Sequence, residues 1–201
     1  MRLARTQPTW GLGWADEVWW SRLAQPEQHR WIEERAIPRL QELERPKADV
    51  DPKALACYGV LVRGASQQAD QMLRRFVAGR PVSAVTTAFL AWCSTRLAEQ
   101  ALTALCLLWD NASWHKSQAV RTWLRQHNQR VKATGHGVRI VACRLPVKSP
   151  WLNPIEPKWV HGKRAVAEAD RMLSAEELET RVYAYYGCDR EDHLVMPQKV
   201  T

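Results

Sequence analysis

The chain has 201 residues, of which 46% are hydrophobic and 25% charged, a balance typical of one sizeable globular domain and unlike that of a disordered chain. Its 9 glycines and 11 prolines are too few for a collagen-like or linker-dominated protein. The formal net charge is +8, and no apolar run approaches the roughly 18 residues that cross a bilayer, so we expect a basic protein without membrane segments.

The N-terminal third of the chain predicts two strands joined by a polar connection. Residues 10–23 form a Trp-rich strand region with Asp16 and Glu17 near its middle. Residues 38–53 are polar and contain three prolines, which indicates a loop or short helix followed by a turn. Residues 55–62 (LACYGVLV) are an apolar run of the length of a strand.

The middle of the chain alternates helices with strands. Apolar residues at helical spacing predict a helix over 82–97, and residues 104–109 (ALCLLW) predict a strand buried on both faces. This strand ends abruptly at Asp110. Helical spacing returns over 119–127, and residues 138–143 (VRIVAC) predict another strand. The alternation indicates an α/β domain.

Two further helices are predicted towards the C-terminus. Asn153 is a favoured N-cap, Pro154 suits the first helical position and Glu156 then falls at the third, although Pro157 leaves the start of this helix open. After the last helix, we expect residues 188–201 to form a loose tail. The signals for the last helix are Ser174 and Glu177 as a capping box, Leu178, Val182 and Tyr185 as an apolar stripe, and Gly187 as the stop.

The cysteines predict neither disulfides nor a zinc site. Their number is odd, they are widely spaced and they include no C-x-x-C pair. Four of them lie in apolar surroundings, and we expect these to be small buried hydrophobic residues, namely Cys57, Cys93, Cys106 and Cys143.

Positive charge is concentrated between residues 111 and 166. This stretch contains eleven basic residues and a single acid, Glu156, whereas the rest of the chain has a net charge of −2. Such a concentration indicates a polyanionic partner, above all nucleic acid. A basic surface that meets only solvent is the alternative, and the lone carboxylate inside the basic stretch argues against it.

Three carboxylates are candidates for a metal site. Asp110 follows a buried strand, at the kind of strand end where ligands collect, but it could also cap the next turn. Glu156 could bond back to an N-cap amide, and Asp16 could be a solvated residue at a sheet edge. If the three converge, a divalent cation offsets the cost of bringing their charges together. Oxygen ligands suit Mg²⁺ or Mn²⁺, and two such ions activate a water or 3′-hydroxyl and stabilise the leaving oxygen in phosphodiester chemistry.

Two sequence blocks resemble the catalytic domain of DDE transposases. They are WDNASWH at 109–115 and SPWLNPIEPKW at 149–159, and the short stretch Ala15-Asp16-Glu17 is similar to the first acidic motif. The resemblance is to the bacterial insertion-sequence branch related to mariner elements and covers roughly residues 10–180. It implies a ribonuclease H-like (retroviral-integrase-like) fold, which is a mixed sheet flanked by helices.

The resemblance also implies roles for particular residues. Asp16, Asp110 and Glu156 would be the catalytic and metal-binding triad for two Mg²⁺ or Mn²⁺ ions, with Glu17 left open as an alternative to Asp16. Asn111, His115 and Asn153 would flank the site, with Asn153 and Pro154 fixing the turn that aims Glu156 inward. Candidate phosphate contacts are Lys116, Lys148, Lys158, Lys163 and Arg164.

The expected organisation is a catalytic domain over 1–187 followed by the tail. Asp110 and Glu156 are further apart than we expect for this branch, and we place the surplus in a surface insertion at 126–137. Only fifteen residues precede Asp16, so we expect the N-terminal helix-turn-helix region to be absent from this chain. A separate polypeptide could supply it.

The leading hypothesis is a metal-dependent enzyme that cleaves and joins DNA at insertion-sequence ends and target sites, located in the cytoplasm with the nucleoid. The alternative is a catalytically silent remnant that binds DNA or a full-length transposase. A ribonuclease H-like nuclease acting on RNA–DNA hybrids or junctions is a third hypothesis, which the Asn-Pro-Ile-Glu block does not favour. A homodimer is a further expected assembly.

Overall fold

The computed structural model describes residues 7–23, 45–64, 70–147, 149–168 and 171–196. These residues form a five-stranded mixed sheet with helices on both faces, which confirms the predicted α/β class. The strands are β1 (Trp10–Ser21), β2 (Ala54–Gly64), β3 (Gln71–Val77), β4 (Ala104–Trp109) and β5 (Arg139–Arg144). The helices are α1 (Ser83–Glu99), α2 (Gln118–Thr134), α3 (Glu156–Val166) and α4 (Ala175–Tyr186), and a 3₁₀ turn spans Pro150–Leu152. Within this described part, no helix has the length and hydrophobicity of a membrane span.

The strand order in the sheet is β3-β2-β1-β4-β5. β1 pairs antiparallel with β2 and parallel with β4, β2 pairs antiparallel with β3, and β4 pairs parallel with β5. Parallel strands require a connection that crosses over the sheet. Helix α1 lies in the connection that leads into β4, and α2 lies in the connection from β4 to β5. β1 is therefore the central strand, with β4 beside it.

Two hydrophobic cores cover the two faces of the sheet. One includes Ala15 of β1 with Phe89 of α1 and Val120 of α2. The other includes Trp14 of β1 with Trp159 of α3, and extends to the buried residues of α4. Because successive side chains of a strand point to opposite faces, even-numbered residues of β1 face α3 and α4, and odd-numbered residues face α1 and α2.

Strand β3 is absent from the sequence-based expectations. Its seven residues include two arginines, which mask the pattern of a strand. Arg74 is only 2% exposed, and its guanidinium lies 4.3 Å from the centre of the Tyr183 ring and 5.0 Å from that of Tyr186. These cation–π contacts with α4 take the place of aliphatic packing at this position.

Two segments are more ordered than a surface insertion and a loose tail suggest. Residues 126–134 form the second half of α2, where His127 and Val131 are buried and Gly135 ends the helix with a φ of 69°; the insertion itself stays a prediction. The segment 188–196 is not loose, because Leu194 forms a β-bridge with Val77 and is 4% exposed. This segment pairs with the open edge of β3, a position that otherwise leaves backbone groups unpaired. Residues 38–44 and 197–201 lie outside the described residues.

The last helix confirms its predicted ends and corrects its apolar stripe. Ser174 accepts a hydrogen bond from the Glu177 amide and Glu177 bonds back, which completes the capping box, and Gly187 closes the helix. Tyr183 rather than Tyr185 faces the core: the buried face also includes Glu179, which is four residues before Tyr183, so it is turned away from position 185, which lies at its border and is 44% exposed. Among the cysteines, Cys57 and Cys93 are buried as expected, whereas Cys106 is partly exposed and Cys143, on the outermost strand β5, is exposed.

Candidate active site

The parallel pairing of β1 and β4 brings two of the candidate carboxylates to one edge of the sheet. Trp14 pairs with Leu108 in this register, so Asp16 and Asp110 each lie two residues further along their strands. Side chains two residues apart share a face, and Trp14 and Leu108 both belong to the core under α3 and α4. Asp16 therefore faces the side of the sheet where α3 begins with Glu156, and Asp110 lies at the same edge of the sheet, just beyond the end of β4.

Asp16 is held by α3 and lies close to Glu156. Its Oδ2 atom accepts a hydrogen bond of 3.1 Å from the indole Nε1 of Trp159. Burial raises the pKa of Asp16 to about 8, with further contributions from the negative charges of Glu156 and Glu17. Burial is thus the main cause of the raised pKa, and the two neighbouring carboxylates add to it.

Glu17 faces the opposite side of the sheet. Its Oε1 atom contacts the Nε2 atom of His115 at 2.8 Å and accepts a hydrogen bond from the indole of Trp114 at 3.3 Å. Its side chain is therefore engaged on the α1 and α2 side. Of the two neighbouring acids, Asp16 is the one that faces Glu156.

Asp110 lies just beyond the end of β4 and is oriented by His115. Its Oδ1 atom accepts hydrogen bonds from the Ala112 amide at 2.9 Å and from the Nδ1 atom of His115 at 2.7 Å. The hydrogen bond from His115 lowers the pKa of Asp110 below its ordinary value. The Asp110 side chain is 53% exposed, so this carboxylate is ionised and open to a ligand.

His115 is buried between two carboxylates. Burial alone would lower its pKa, but the hydrogen bonds to Asp110 and Glu17 outweigh that effect and raise the pKa to about 9. The ring stacks on Trp109, with centroids 4.5 Å apart and an interplanar angle of 11°. A protonated, immobilised His115 thus links β1 to the loop after β4 and fixes the orientation of Asp110.

Glu156 is the first residue of α3, and its helix starts differently from the predicted one. Asn153 is not the N-cap: residues 154 and 155 form a turn, and the Glu156 amide bonds to the backbone oxygen of Asn153 at 3.1 Å. Pro157 lacks an amide hydrogen, which favours a helix that begins around it rather than at Pro154. Asn153 is 3% exposed, and its Oδ1 atom has no partner among the described residues.

Asp110 and Glu156 line the same cavity. It has a volume of about 420 Å³, and Asn111, Ser149 and Asn153 also line it. Asn111 donates a hydrogen bond of 2.7 Å to the Leu145 backbone oxygen, which ties the loop after β4 to the end of β5. Asn111, His115 and Asn153 thus all lie beside the candidate carboxylates.

The basic candidate residues are exposed. Lys116 lies near Asp110, where its charge adds to the larger effects of His115 and Ala112 that lower the Asp110 pKa. Lys158, Lys163 and Arg164 are exposed along α3. Lys148 lies outside the described residues.

The carboxylate oxygens of the site are of the type that binds a hard divalent cation, but they do not surround one common position. Among the described residues, no three His, Cys, Asp or Glu side chains lie close enough together to hold a metal ion. Asp16 and Glu156 are near enough for their charges to raise the Asp16 pKa, and a cation between them would relieve that repulsion. Carboxylates are the ligands that Mg²⁺ and Mn²⁺ prefer.

The sequence does not reveal the residues that position the carboxylates. It offers Glu17 only as an alternative to Asp16, whereas in the structure Glu17 contacts His115. Trp159 lies against β2 because Gly59 has no side chain: a Cβ atom there would lie 2.4 Å from the Trp159 ring. A glycine inside an otherwise apolar strand is the one signal that could have indicated this close approach.

Comparison with known proteins identifies relatives of this arrangement. The sequence model described as DDE superfamily endonuclease matches residues 58–179, a range that includes Asp110 and Glu156. A search of curated proteins finds no match.

Solved structures resemble the chain at low sequence identity. The Mos1 transposase paired-end complex with left transposon end gives a TM-score of 0.61 at 16% identity, over 89% of this chain and 48% of that chain. The Mos1 mariner paired end complex with Mn gives 0.59 at 14% identity, over 89% and 48%. This chain therefore spans about half the length of these transposases. The likeness shows the fold, and the ribonuclease H-like fold that the sequence blocks imply is confirmed.

Proposed function

The chain belongs to the DDE superfamily endonucleases, and from this membership we propose that it cleaves DNA strands and joins their ends to new DNA as the catalytic domain of a transposase. The DNA it acts on would be the ends of an insertion sequence and a target site. The observation that carries the proposal is that Asp110 and Glu156 line one cavity, while Asp16, bonded to Trp159 of the same helix as Glu156, lies at the same edge of the sheet. Glu156 is also the single acid of the basic stretch 111–166.

Asp16, Asp110 and Glu156 are the residues that would hold the cations in this proposal. When bound, Mg²⁺ or Mn²⁺ would activate a water or a 3′-hydroxyl for attack and stabilise the leaving oxygen. The chain itself presents the ligands: Trp159 holds Asp16, and His115 holds Asp110 through Oδ1, while Oδ2 bonds to none of the residues that the structure describes. Fixing ligands before the substrate arrives lowers the cost of reaching the reactive geometry.

The exposed basic residues of α3 and the loop before α2 would hold the DNA backbone. Phosphate contacts position DNA without reading its sequence, and they suit Lys116, Lys158, Lys163 and Arg164, which extend into solvent. We also predict that Lys148 contacts phosphate, that the chain forms a homodimer, and that a separate polypeptide supplies a helix-turn-helix region.

A nicking assay with metal control tests the proposal. Purified protein is incubated with supercoiled DNA that contains the element ends, in the presence of Mg²⁺, Mn²⁺ or a chelator. We expect metal-dependent nicks in the wild-type protein and in Glu99→Ala, which removes a solvated carboxylate on α1, and none in Asp110→Ala or Glu156→Ala. Metal-dependent nicks that persist in both of these variants would refute the assignment.

A second candidate is a protein that binds DNA, or a full-length transposase, without cutting. The observation that favours it is the lack, within the described ranges, of three metal-ligating side chains close enough to share an ion. In that case, DNA binding would weaken as salt rises, while Asp16→Asn, Asp110→Ala and Glu156→Ala would leave it unchanged and no metal would elicit cleavage.

A further inference from the structure

Trp151 is an exposed aromatic residue beside the candidate active site. It lies in the 3₁₀ turn that precedes α3 and is 76% exposed. Val147, Leu152 and Val160 are also large apolar residues with exposed side chains in this region. An indole ring placed in water close to catalytic groups is a costly arrangement for a monomer, and exposed apolar patches of this kind mark binding surfaces.

Trp151 shares a cavity with Glu156. This cavity has a volume of about 430 Å³ and is lined by Trp151, Val160 and His161, together with Asn153 and Glu156. Asn153 and Glu156 also line the cavity that contains Asp110. The two cavities therefore adjoin at Asn153 and Glu156, one side bearing carboxylates and the other side an aromatic ring and an aliphatic side chain.

A nucleotide, like the two adjoining cavities, has one charged part and one largely apolar part. Its phosphate is the group that metal-binding carboxylates act on, and its base is a flat, largely apolar ring attached through a sugar. Both cavities are within the size range of sites that hold small ligands. The net positive charge of the surrounding stretch favours a polyanionic strand over an apolar protein segment as the occupant.

We propose that Trp151 stacks on an unpaired nucleobase of the DNA, next to the phosphodiester that Asp110 and Glu156 act on. The proposal rests on the DNA-cleaving function proposed above and adds a base-binding site to it. Stacking is tolerant of sequence, because every base presents a π-face. Trp151 would thus keep the end of a strand splayed from its complement and hold the adjoining phosphate at the carboxylates.

Asn153 lies at the border of the two cavities. Its side chain is buried, and its Oδ1 atom, itself shielded from solvent, lacks a hydrogen-bond partner in the described part of the chain. A buried acceptor without a partner is costly, so a shift of this side chain that brought it a donor when DNA binds would be favourable.

The test uses a short DNA duplex whose single-stranded 3′ overhang carries the fluorescent base 2-aminopurine, in the presence of a chelator. We expect the wild-type protein and Trp151→Phe to quench the fluorescence on binding, because stacking quenches this base. Trp151→Ala should lose the quenching and bind the DNA about tenfold more weakly. Trp19→Ala is the matched control, since Trp19 is also an exposed tryptophan, 46% exposed, but lies on β1 away from this cavity.

The outcomes separate this proposal from the proposed function. Unchanged quenching and affinity in Trp151→Ala, with metal-dependent cleavage by the wild-type protein, would overturn the stacking role alone. A change in the oligomeric state of Trp151→Ala with unchanged quenching would overturn it in favour of a contact between copies of the chain. Failure of the wild-type protein to bind any DNA would overturn both proposals.

Discussion

Gly59→Ala adds a single methyl group on β2, and we expect it to disturb Asp16 on the neighbouring strand β1 and so impair the candidate active site. Gly59 lies opposite Asp16 in the pairing of β2 with β1, and a Cβ atom there would lie 2.4 Å and 2.5 Å from two carbons of the Trp159 ring. Carbon atoms pack at about 3.5 to 4.0 Å, so the ring must retreat by roughly 1 Å. Its hydrogen bond to Asp16, now 3.1 Å, would stretch beyond hydrogen-bonding distance.

This shift should lower the stability and should also lower the cleavage rate of the molecules that remain folded. Overpacking a core costs about 1 to 3 kcal/mol, whereas a misplacement of about 1 Å at a reacting centre lowers the rate about 100-fold. Trp159 is three residues from Glu156 on the same helix, so a displacement that is passed to the backbone also moves the start of α3. The assay is the metal-dependent nicking rate, measured below the melting temperature that circular dichroism gives for each variant.

Gly11→Ala is the matched control for the effect of packing. A Cβ atom there would lie 2.6 Å from a methyl carbon at the end of the Leu102 side chain, a clash near the start of β1 that this side chain relieves in part by shifting. We expect this variant to lower the melting temperature and to keep the wild-type rate per folded molecule. A folded Gly59→Ala protein that nicks DNA at the wild-type rate would refute the role of Trp159 in positioning Asp16.

Three further predictions concern charge and capping. In metal-free protein, Asp16 should hold its proton up to about pH 8, whereas in the unfolded chain it ionises near 3.8. The folded state then binds one more proton than the unfolded state between these values, so the free energy of unfolding should fall from about pH 4 to 8. The fall is about 1.4 kcal/mol for each unit by which the two pKa values differ. Asp16→Asn should remove this slope in chemical denaturation, and an unchanged slope would contradict the raised pKa. Ser174→Ala should lower the stability by about 1 kcal/mol through the lost cap of α4, and no change in melting temperature would contradict it. Replacing Lys163 and Arg164 with Gln should reduce the salt dependence of DNA binding by about 2 in the log–log slope; an equal slope would exclude both from phosphate contact.

The elements with a continuous hydrophobic signal could be predicted from the sequence. The buried strand over 104–109 and the apolar run over 55–62 appear in the structure as β4 and most of β2. β3 could not be predicted, because Arg74 is buried through contacts with tyrosines more than one hundred residues later in the chain. The burial of an arginine depends on what packs above it, which local spacing does not contain.

The candidate carboxylates could be recognised from their motifs, but not the residues that orient them. Asp110 and Glu156 lie in the two distinctive blocks, and Asp16 lies in a much shorter one. The contact of His115 with Glu17 joins residues 98 positions apart, and the approach of Trp159 to Gly59 depends on the strand register. Both are properties of the assembled sheet.

The three candidate carboxylates are supported by parts of the molecule that differ in how firmly they are anchored. Asp16 belongs to the central strand, which is paired on both sides, whereas Glu156 begins a short helix that is anchored by side-chain packing, through Trp159, Val166 and the preceding Ile155. Local unfolding of that helix would displace Glu156 and abolish activity while the sheet stays intact. Amide hydrogen exchange should then be faster in the helix than in the strand, and a ligand or partner that slowed it would act as a switch on the whole site.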